Sequence, residues 1–526
     1  MQKYKREGTK GYIFYKDNIP VGAVRVAFNS ENSSARVSAL GVLPKYQGQG
    51  IARKALLEIE RLHRDVKKWC LDTILQEKGN CHLYEKIGYK RTGKVEEINE
   101  KMTLIYYEKK VNDIVYRLAE ENDIEEIIEL VENAISKMEE KGIYQWDDLY
   151  PTVEVFLSDI KSRQLYVGII DKEISVIYVV NNECDEAYQN GNWKYPTSEY
   201  RVIHRLCVNP KYQNKGVAGS TLKHIENELR TQNIESIRLD VFSENPFALS
   251  LYEKNGYKEV GFADWRKGRF FLMEKHLLEK IYIEEDLFPR EITSCEERDY
   301  GYLFCNEKNK DSYDSNHALI YKDRITNLDE VFKEILEFYI RKGIKPNIYE
   351  SVLDEGFFEE IVHELEKYGF ETWKESQKYM VLSDENVLKS NPDIIVKIVT
   401  EWADEYGTEI FEKAGETWGI DVLKRALQNS NTKLFVGFYN GIPIGMTYCH
   451  ITEGVCRIDY LLVSKEYRNI GAGRAIINCF VEYCKTNHIE LCYLWPDGET
   501  AEKIYYEAGF RHVQTKNVGR AVYNAK

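Results

Sequence analysis

"LPKYQGQGIARKAL" (residues 43–56), "NPKYQNKGVAGSTL" (209–222) and "SKEYRNIGAGRAII" (464–477) are three renderings of one phrase. In each, a tyrosine (Tyr46, Tyr212, Tyr467) precedes the equivalent residues Gln47, Gln213 and Arg468, and a valine (Val42, Val208, Val463) lies five residues before them. A second phrase follows each: "LYEKIGY" at Leu83, "LYEKNGY" at Leu251 and "IYYEAGF" at Ile504. The separations from Gln47 to Tyr84, Gln213 to Tyr252 and Arg468 to Tyr505 are 37, 39 and 37 residues. Chance matches would not hold that spacing, so the chain is read as a set of internal repeats.

Between the two phrases each copy reads as a helix and then a strand. Ile51, Ala55, Ile59 and Leu62 have helical spacing, as do Ala218, Leu222, Ile225 and Leu229. "WCLDTIL", "SIRLDVF" and "LCYLW" read as buried strands. Upstream, "YIFYKDNIPVGAVRVAF" and "LFVGFYNGIPIGMTYCH" read as hairpins turning at Asp17-Asn18 and Asn440-Gly441. The predicted unit is a strand hairpin, a strand, a glycine loop, a helix, a strand, a helix and a final strand, a mixed α/β fold. A glycine loop between strand and helix exposes unpaired N–H groups at the positive end of the helix dipole, where a phosphate binds. The GxxxxGK[ST] phosphate loop is absent at all three places. The dinucleotide fingerprint also fails, because Arg53 and Ile476 stand at its third glycine.

The copies are unequal. Copy two opens with "VYRLAEENDIEEIIELVENAI", a strand and an amphipathic helix, whereas copy one has about ten residues before its hairpin. The repeat distance is 166 residues from copy one to two but 255 from two to three. Residues around 281–384 fill the excess with the same order of elements and no glycine phrase, and are read as a degenerate copy. The expected domains are therefore 1–111, 112–280, 281–384 and 385–526.

Composition narrows the partners. A net charge of −14 weighs against duplex nucleic acid, which is bound through clustered Lys and Arg. No long uncharged apolar run occurs and "MQKYKREGTKGY" has no apolar core, so neither a membrane span nor a signal peptide is expected and the protein is read as cytoplasmic. The eleven cysteines form no CxxC pair and suit reduced structural thiols; no metal site is expected.

The paired phrases resemble the GNAT superfamily of acyl-CoA-dependent N-acetyltransferases, over residues 11–280 and 385–526. The resemblance implies tandem mixed sheets flanked by helices, each with a cleft where two strands splay. It also implies acetyl-CoA as cofactor. Its pyrophosphate would lie on the loop amides of Gln47-Gly48-Gln49-Gly50-Ile51-Ala52, Gln213-Asn214-Lys215-Gly216-Val217-Ala218 and Arg468-Asn469-Ile470-Gly471-Ala472-Gly473, and its pantetheine arm along Val42, Val208 and Val463. Asn245 matches a cofactor-touching asparagine, where Glu77 and Gly498 depart.

By resemblance Tyr84, Tyr252 and Tyr505 are general-acid candidates. Ser38, His204 and Asp459 stand four residues before the strand valine, and alternation puts them on its face. His204 and Asp459 are the candidate bases; Ser38 offers none. Trp146, Asp147 and Asp148 either suit a cationic amine or pack as a loop against the core. The expected activity is acetyl transfer to the primary amine of a small molecule, led by copies two and three. Two alternatives stand beside it: acetylation of a protein N-terminus or lysine, and a non-catalytic acyl-CoA-binding scaffold.

Overall fold

The computed structural model describes residues 8–17, 19–29, 33–63, 66–99, 102–110, 114–196, 198–384, 386–417, 419–487 and 489–524. Asn18, part of the first expected turn, lies outside them. The chain divides into two compact units, residues 1–194 with 201–224 and 238–274, and residues 195–200 with 225–237 and 275–526. Among the described residues the strands form three sheets. Among the described residues no helix is long and apolar enough to cross a membrane.

The first sheet comprises β1 (Thr9–Lys16), β2 (Ile19–Phe28), β3 (Ser34–Val42), β4 (Lys68–Ile74), β5 (Lys90–Asn99) and β6 (Met102–Lys110), in the order β1-β2-β3-β4-β6-β5. Helix α1 (Ile51–Leu62) links β3 to β4, and α2 (Lys78–Lys86) links β4 to β5. One sheet face buries Val24, Val26, Val37 and Leu71 against Leu56 and Ile59 of α1.

The second sheet begins with β7 (Val115–Leu118), followed by α3 (Ile124–Glu139) and α4 (Val153–Lys161). Then come β8 (Leu165–Ile170), β9 (Glu173–Asn181), β10 (Tyr200–Val208), α5 (Val217–Thr231), β11 (Ser236–Phe242), α6 (Pro246–Lys254), β12 (Lys258–Trp265) and β13 (Gly268–His276). Their order, β12-β13-β11-β10-β9-β8-β7, repeats the first sheet with one strand added. Ile127, Leu130, Val131 and Phe156 of α3 and α4 bury Leu165, Val167, Ile177, Val179 and Cys207. Both sheets end in an antiparallel hairpin, where a single final strand is the sequence expectation.

The third sheet has eleven strands. Helix α7 (Glu279–Leu287) leads to β14 (Ser294–Arg298), β15 (Gly301–Cys305), β16 (His317–Ile320), α8 (Leu328–Arg341), β17 (Asn347–Glu350), α9 (Phe357–Glu360), α10 (Val362–Lys367) and β18 (Phe370–Leu382). After these come β19 (Ile394–Val399), α11 (Asp404–Tyr406), α12 (Gly419–Ala426), β20 (Thr432–Tyr439), β21 (Ile442–Thr452), β22 (Val455–Val463), α13 (Ala472–Thr486), β23 (Leu491–Leu494), α14 (Glu499–Ala508) and β24 (Phe510–Tyr523). The order is β14-β15-β16-β17-β24-β18-β23-β22-β21-β20-β19.

Read from β14, this order repeats that of the first sheet with β24 in the place of β6 and β18 in the place of β5. Read from β19, it repeats that of the second sheet with β18 in the place of β13 and β24 in the place of β12. Each half thus takes one central strand from the other, and β18 pairs antiparallel with β24 from Phe370↔Tyr523 to Leu382↔Phe510. In the half without a glycine phrase, Asn327 caps α8 by accepting from the N–H groups of Asp329 and Glu330. A carboxamide oxygen followed by two acids thus occupies the helix start that a phosphate would need.

One irregularity recurs in all three glycine-loop copies. Residues 38–41 of β3 oppose 25–23, residues 204–207 of β10 oppose 179–177, and residues 459–462 of β22 oppose 448–446. Each is a bulge of one extra residue, with Ala39, Arg205 and Tyr460 at φ of 52°, 49° and 56°. The bulge reverses the alternation beyond it. Ser38, His204 and Asp459 therefore share a face with Gly41, Cys207 and Leu462, and not with the strand valines; this corrects the alternation argument from sequence.

Candidate active site

Pairing between the strands flanking the glycine-loop helix is short. β3 and β4 pair in parallel only at Ser34↔Lys68, Ala35↔Trp69 and Arg36↔Cys70, and β22 and β23 only at Val455↔Leu491, Cys456↔Cys492 and Arg457↔Tyr493. Beyond these pairs the strands part, and the bulged residues and the valines lie on the diverging segments.

At each loop the strand valine leads into a short turn, Pro44–Tyr46, Pro210–Tyr212 or Lys465–Tyr467. The following side chain folds back on the strand: Gln47 Nε2 donates to the Val42 carbonyl at 2.9 Å, Gln213 Nε2 to Val208 at 3.2 Å and Arg468 Nε to Val463 at 3.3 Å. The next residues alternate through the left-handed region. Gly48, Asn214 and Asn469 have φ of 74°, 61° and 64°, and Gly50, Gly216 and Gly471 have φ of 75°, 83° and 89°. Such alternation turns successive N–H groups to one side, a concavity for an anion at the helix start. Around Gly48, Gly50 and Gly216 the space a Cβ would enter is open, so at these positions backbone conformation rather than crowding calls for glycine. Gly471 differs, since an added Cβ would stand 3.0 Å from the Asn391 nitrogen. The cradles of copies one and two therefore fit a pyrophosphate without rearrangement nearby.

In copy two the loop opens into a cleft of about 920 Å³ that runs past Val208, Asn245 and Tyr252 to Trp146, Tyr150, Tyr188, Trp265, Arg266 and Lys267. Asn245 caps α6 by accepting from Ala248 N–H at 3.1 Å and donates Nδ2 to Gln145 Oε1 at 2.8 Å. Tyr252 is buried, and that burial, with Asp240 nearby, pushes its phenol above the ordinary value and keeps it protonated. Tyr84 and Tyr505 occupy the same helix position, likewise buried and raised.

His204 lines the cleft with its ring fixed. Nε2 lies 3.1 Å from Asn181 Oδ1 and 3.0 Å from the Glu183 carbonyl. The same Oδ1 accepts Glu183 N–H, so Nε2 is the donor and Nδ1 holds the lone pair. Burial, helped by the Arg205 guanidinium, pushes this imidazole down to about 4, so it is neutral at pH 7. In copy three, Asp459 accepts from Tyr448 OH at 2.8 Å and pairs with Arg457 at 2.9 Å.

The "YQWDD" segment is held in place by ion pairs. Asp147 takes both guanidinium nitrogens of Arg266 at 2.7 and 2.8 Å and Lys267 at 3.2 Å, which hold its carboxyl well below the usual range. Trp146 packs on the α3/α4 core. Asp148 does not line the cleft.

Two cleft residues escaped the sequence reading. Asp240, half-buried on β11, accepts from the Tyr188 hydroxyl at 2.9 Å. A signal existed, since "LD" recurs as Leu71-Asp72 and Leu239-Asp240, each aspartate twelve residues before its tyrosine.

Residues 174–257 match the profile "Acetyltransferase (GNAT) family", and residues 7–91 and 402–522 match two profiles described as "Acetyltransferase (GNAT) domain". The chain is 24% identical over 165 residues to S-(2-succino)cysteine N-acetyltransferase of Bacillus subtilis, covering 31% of this chain and 95% of that one. It is 32% identical over 59 residues to the ribosomal protein bS18-alanine N-acetyltransferase of Escherichia coli, covering 11% and 40%. Among solved structures, a GNAT-family acetyltransferase of Streptococcus agalactiae shares 24% identity with a TM-score of 0.29, over 31% of this chain and 95% of that one. With three matching profiles laid on three copies of the bulged strand and glycine loop, the chain belongs to the GNAT family and is an N-acetyltransferase that uses acetyl-CoA.

Proposed function

We propose that copy two is the principal catalytic unit and that it acetylates the amino group of a small, amino-acid-like molecule. The observation that carries this is the continuous cleft from the loop at Gln213–Ala218 to a polar end bearing both signs of charge. Asp185 and Asp240 offer carboxylates to an ammonium. Arg266 and Lys267 share the single carboxylate of Asp147, which leaves one positive charge for a carboxylate on the acceptor. S-(2-succino)cysteine, named for the Bacillus subtilis relative, is an amine of this kind.

The backbone N–H groups of residues 214–218 would hold the pyrophosphate of coenzyme A, and the unpaired edge near Val208 its pantetheine arm. When bound, it supplies the acetyl thioester and leaves as the thiol. Tyr252 holds a phenolic proton that it can give toward the sulfur. In copy one, Val42 and Gln47–Ala52 build an equivalent cradle. In copy three, Val463 and Arg468–Gly473 build one that Ser390 and Asn391 crowd. Tyr84 and Tyr505 stand where Tyr252 does.

The test is acetyl transfer by the intact chain to a panel of amino acids, polyamines and short peptides. Faster transfer to carboxylated amines than to polyamines or peptides is expected, with loss of that preference in the Lys267→Ala variant. Peptides as the better acceptors would overturn the reading in favour of protein N-terminal acetylation.

A further inference from the structure

We infer that Cys456, Cys484 and Cys492, buried in copy three, form a binding site for a trivalent thiophilic metalloid hydroxide, with arsenous acid as its simplest member. The inference is independent of which copy is catalytic. The three Sγ atoms all lie within 4.8 Å of one another. Cys456 and Cys492 are register partners on the parallel strands β22 and β23, and Cys484 meets them from the last turn of α13. The Cys456 thiol also touches that of Cys449 on β21. Cys456 and Cys492 belong to the paired stretch of their strands, whereas the strand valine and the glycine loop lie beyond the point where the strands part.

The plain alternative is that these cysteines are small apolar side chains filling a core. The other copies argue against it. By strand register, and for the helix position by distance from the glycine loop, Cys449, Cys456, Cys484 and Cys492 match Val26, Ala35, His63 and Trp69 of copy one. In copy two the same places hold Val180, Arg201, Leu229 and Ile237. The fold thus builds this corner twice without sulfur, and copy three brings four of the chain's eleven cysteines to it. No CxxC pairing announces them, so only the folded chain shows the cluster.

The class of ligand follows from chemistry and charge. Clustered thiols select soft, sulfur-seeking centres. A centre bonded to sulfur at about 2.3 Å sets its sulfurs about 3.3–3.8 Å apart, so three thiols already within 4.8 Å close on it with a small movement. The cluster shares its core with Phe435, Ile477, Phe480 and Val481. The guanidinium next along β22, Arg457, lies on the other face of the strand and pairs with Glu285 at 2.9 Å. A monovalent or divalent ion held by three thiolates would leave a net negative charge among those apolar side chains, at high cost. A trivalent centre leaves none. With arsenous acid, three As–O and three S–H bonds break, three As–S bonds form, and the hydroxyls leave with the protons as three water molecules. No atom changes oxidation state, and entry calls for local opening of the last turn of α13.

The experiment uses the intact, reduced chain with sodium arsenite and zinc chloride as separate probes. Calorimetry gives stoichiometry and affinity, and X-ray absorption at the arsenic edge counts the sulfur neighbours. One tightly held arsenic per chain is expected, with three sulfurs and no oxygen around it. Cys484→Ala should lose one sulfur neighbour and at least about tenfold in affinity, whereas Cys449→Ala, which leaves all three ligands, should change neither. Thermal melts establish that each variant is folded, and if Cys484→Ala is not, the sulfur count of the wild type decides alone. Arsenic bound through two sulfurs or fewer overturns the proposal, as does equal affinity in a folded Cys484→Ala or loss of the site in a folded Cys449→Ala. Tight zinc with no arsenic bound overturns it too, since the thiols would then serve a divalent ion.

Discussion

The first and second sheets share their strand order, the bulge and the glycine loop, yet one buries both faces and the other only one. Register matches them residue for residue. Where copy two places Leu165, Val167, Ile177, Val179 and Cys207 beneath α3 and α4, copy one has Gly11, Ile13, Ala23, Arg25 and Gly41. The first four of the copy-two set are 0% exposed. In copy one the face is glycine, alanine and an arginine whose Nε donates to Ser38 at 2.9 Å, with Ile13 the one large apolar side chain, 59% exposed. The face that α3 and α4 cover in copy two is thus not an apolar one in copy one, because the sequence of these strands differs as well.

Exchanging residues across the match gives the sharpest tests. Val179→Arg puts the copy-one residue under α3 and α4 and buries an unpaired charge; a loss of at least about 4 kcal/mol is expected in chemical denaturation of the intact chain. A loss below about 1 kcal/mol would mean that the α3/α4 face is not a packed core.

His204→Ser imports the copy-one residue at the bulge. The native imidazole is held near 4 and the unfolded one titrates near 6.5. The unfolded chain therefore binds more protons between these values. Stability contributed at neutral pH is lost as pH falls through this window, by about 3 kcal/mol in full. Thermal melts from pH 7 to pH 4 should be flatter in His204→Ser, and equal slopes would remove the histidine from the account.

Gln213→Ala cuts the tie to the Val208 carbonyl that closes the second loop. About 1 kcal/mol of coenzyme A affinity, some fivefold, is expected to go. Gln47→Ala should do the same to the first loop, seen as weakening of a second class of sites in calorimetry. The smallest effect is Arg25→Val, the reverse of the first exchange, expected within about 0.5 kcal/mol because that face stays solvated.

What could be read from the chain alone follows from which features are local. The glycine loops were legible because positive φ at a helix start selects glycine or asparagine, and Gly48, Asn214, Asn469, Gly50, Gly216 and Gly471 all obey that preference. The bulges were not, although they also need positive φ, because they place it on Ala39, Arg205 and Tyr460, residue types that announce nothing. Without them strand parity put His204 beside Val208, and the register reverses that. The Asp240–Tyr188 pair joins residues 52 apart through a turn whose fold no periodicity encodes. The swap of β18 and β24 was equally hidden, since a strand's sequence states its two faces but not its neighbours.

That swap ties residues 281–384 to the C-terminal copy. Their helix α8 starts at the Asn327 cap rather than at a glycine loop, yet the last copy's sheet runs through β18 between β23 and β24. A deletion that removed residues 281–384 would open the last copy along its middle. Because the two halves exchange β18 and β24, neither half of the sheet is complete without the other.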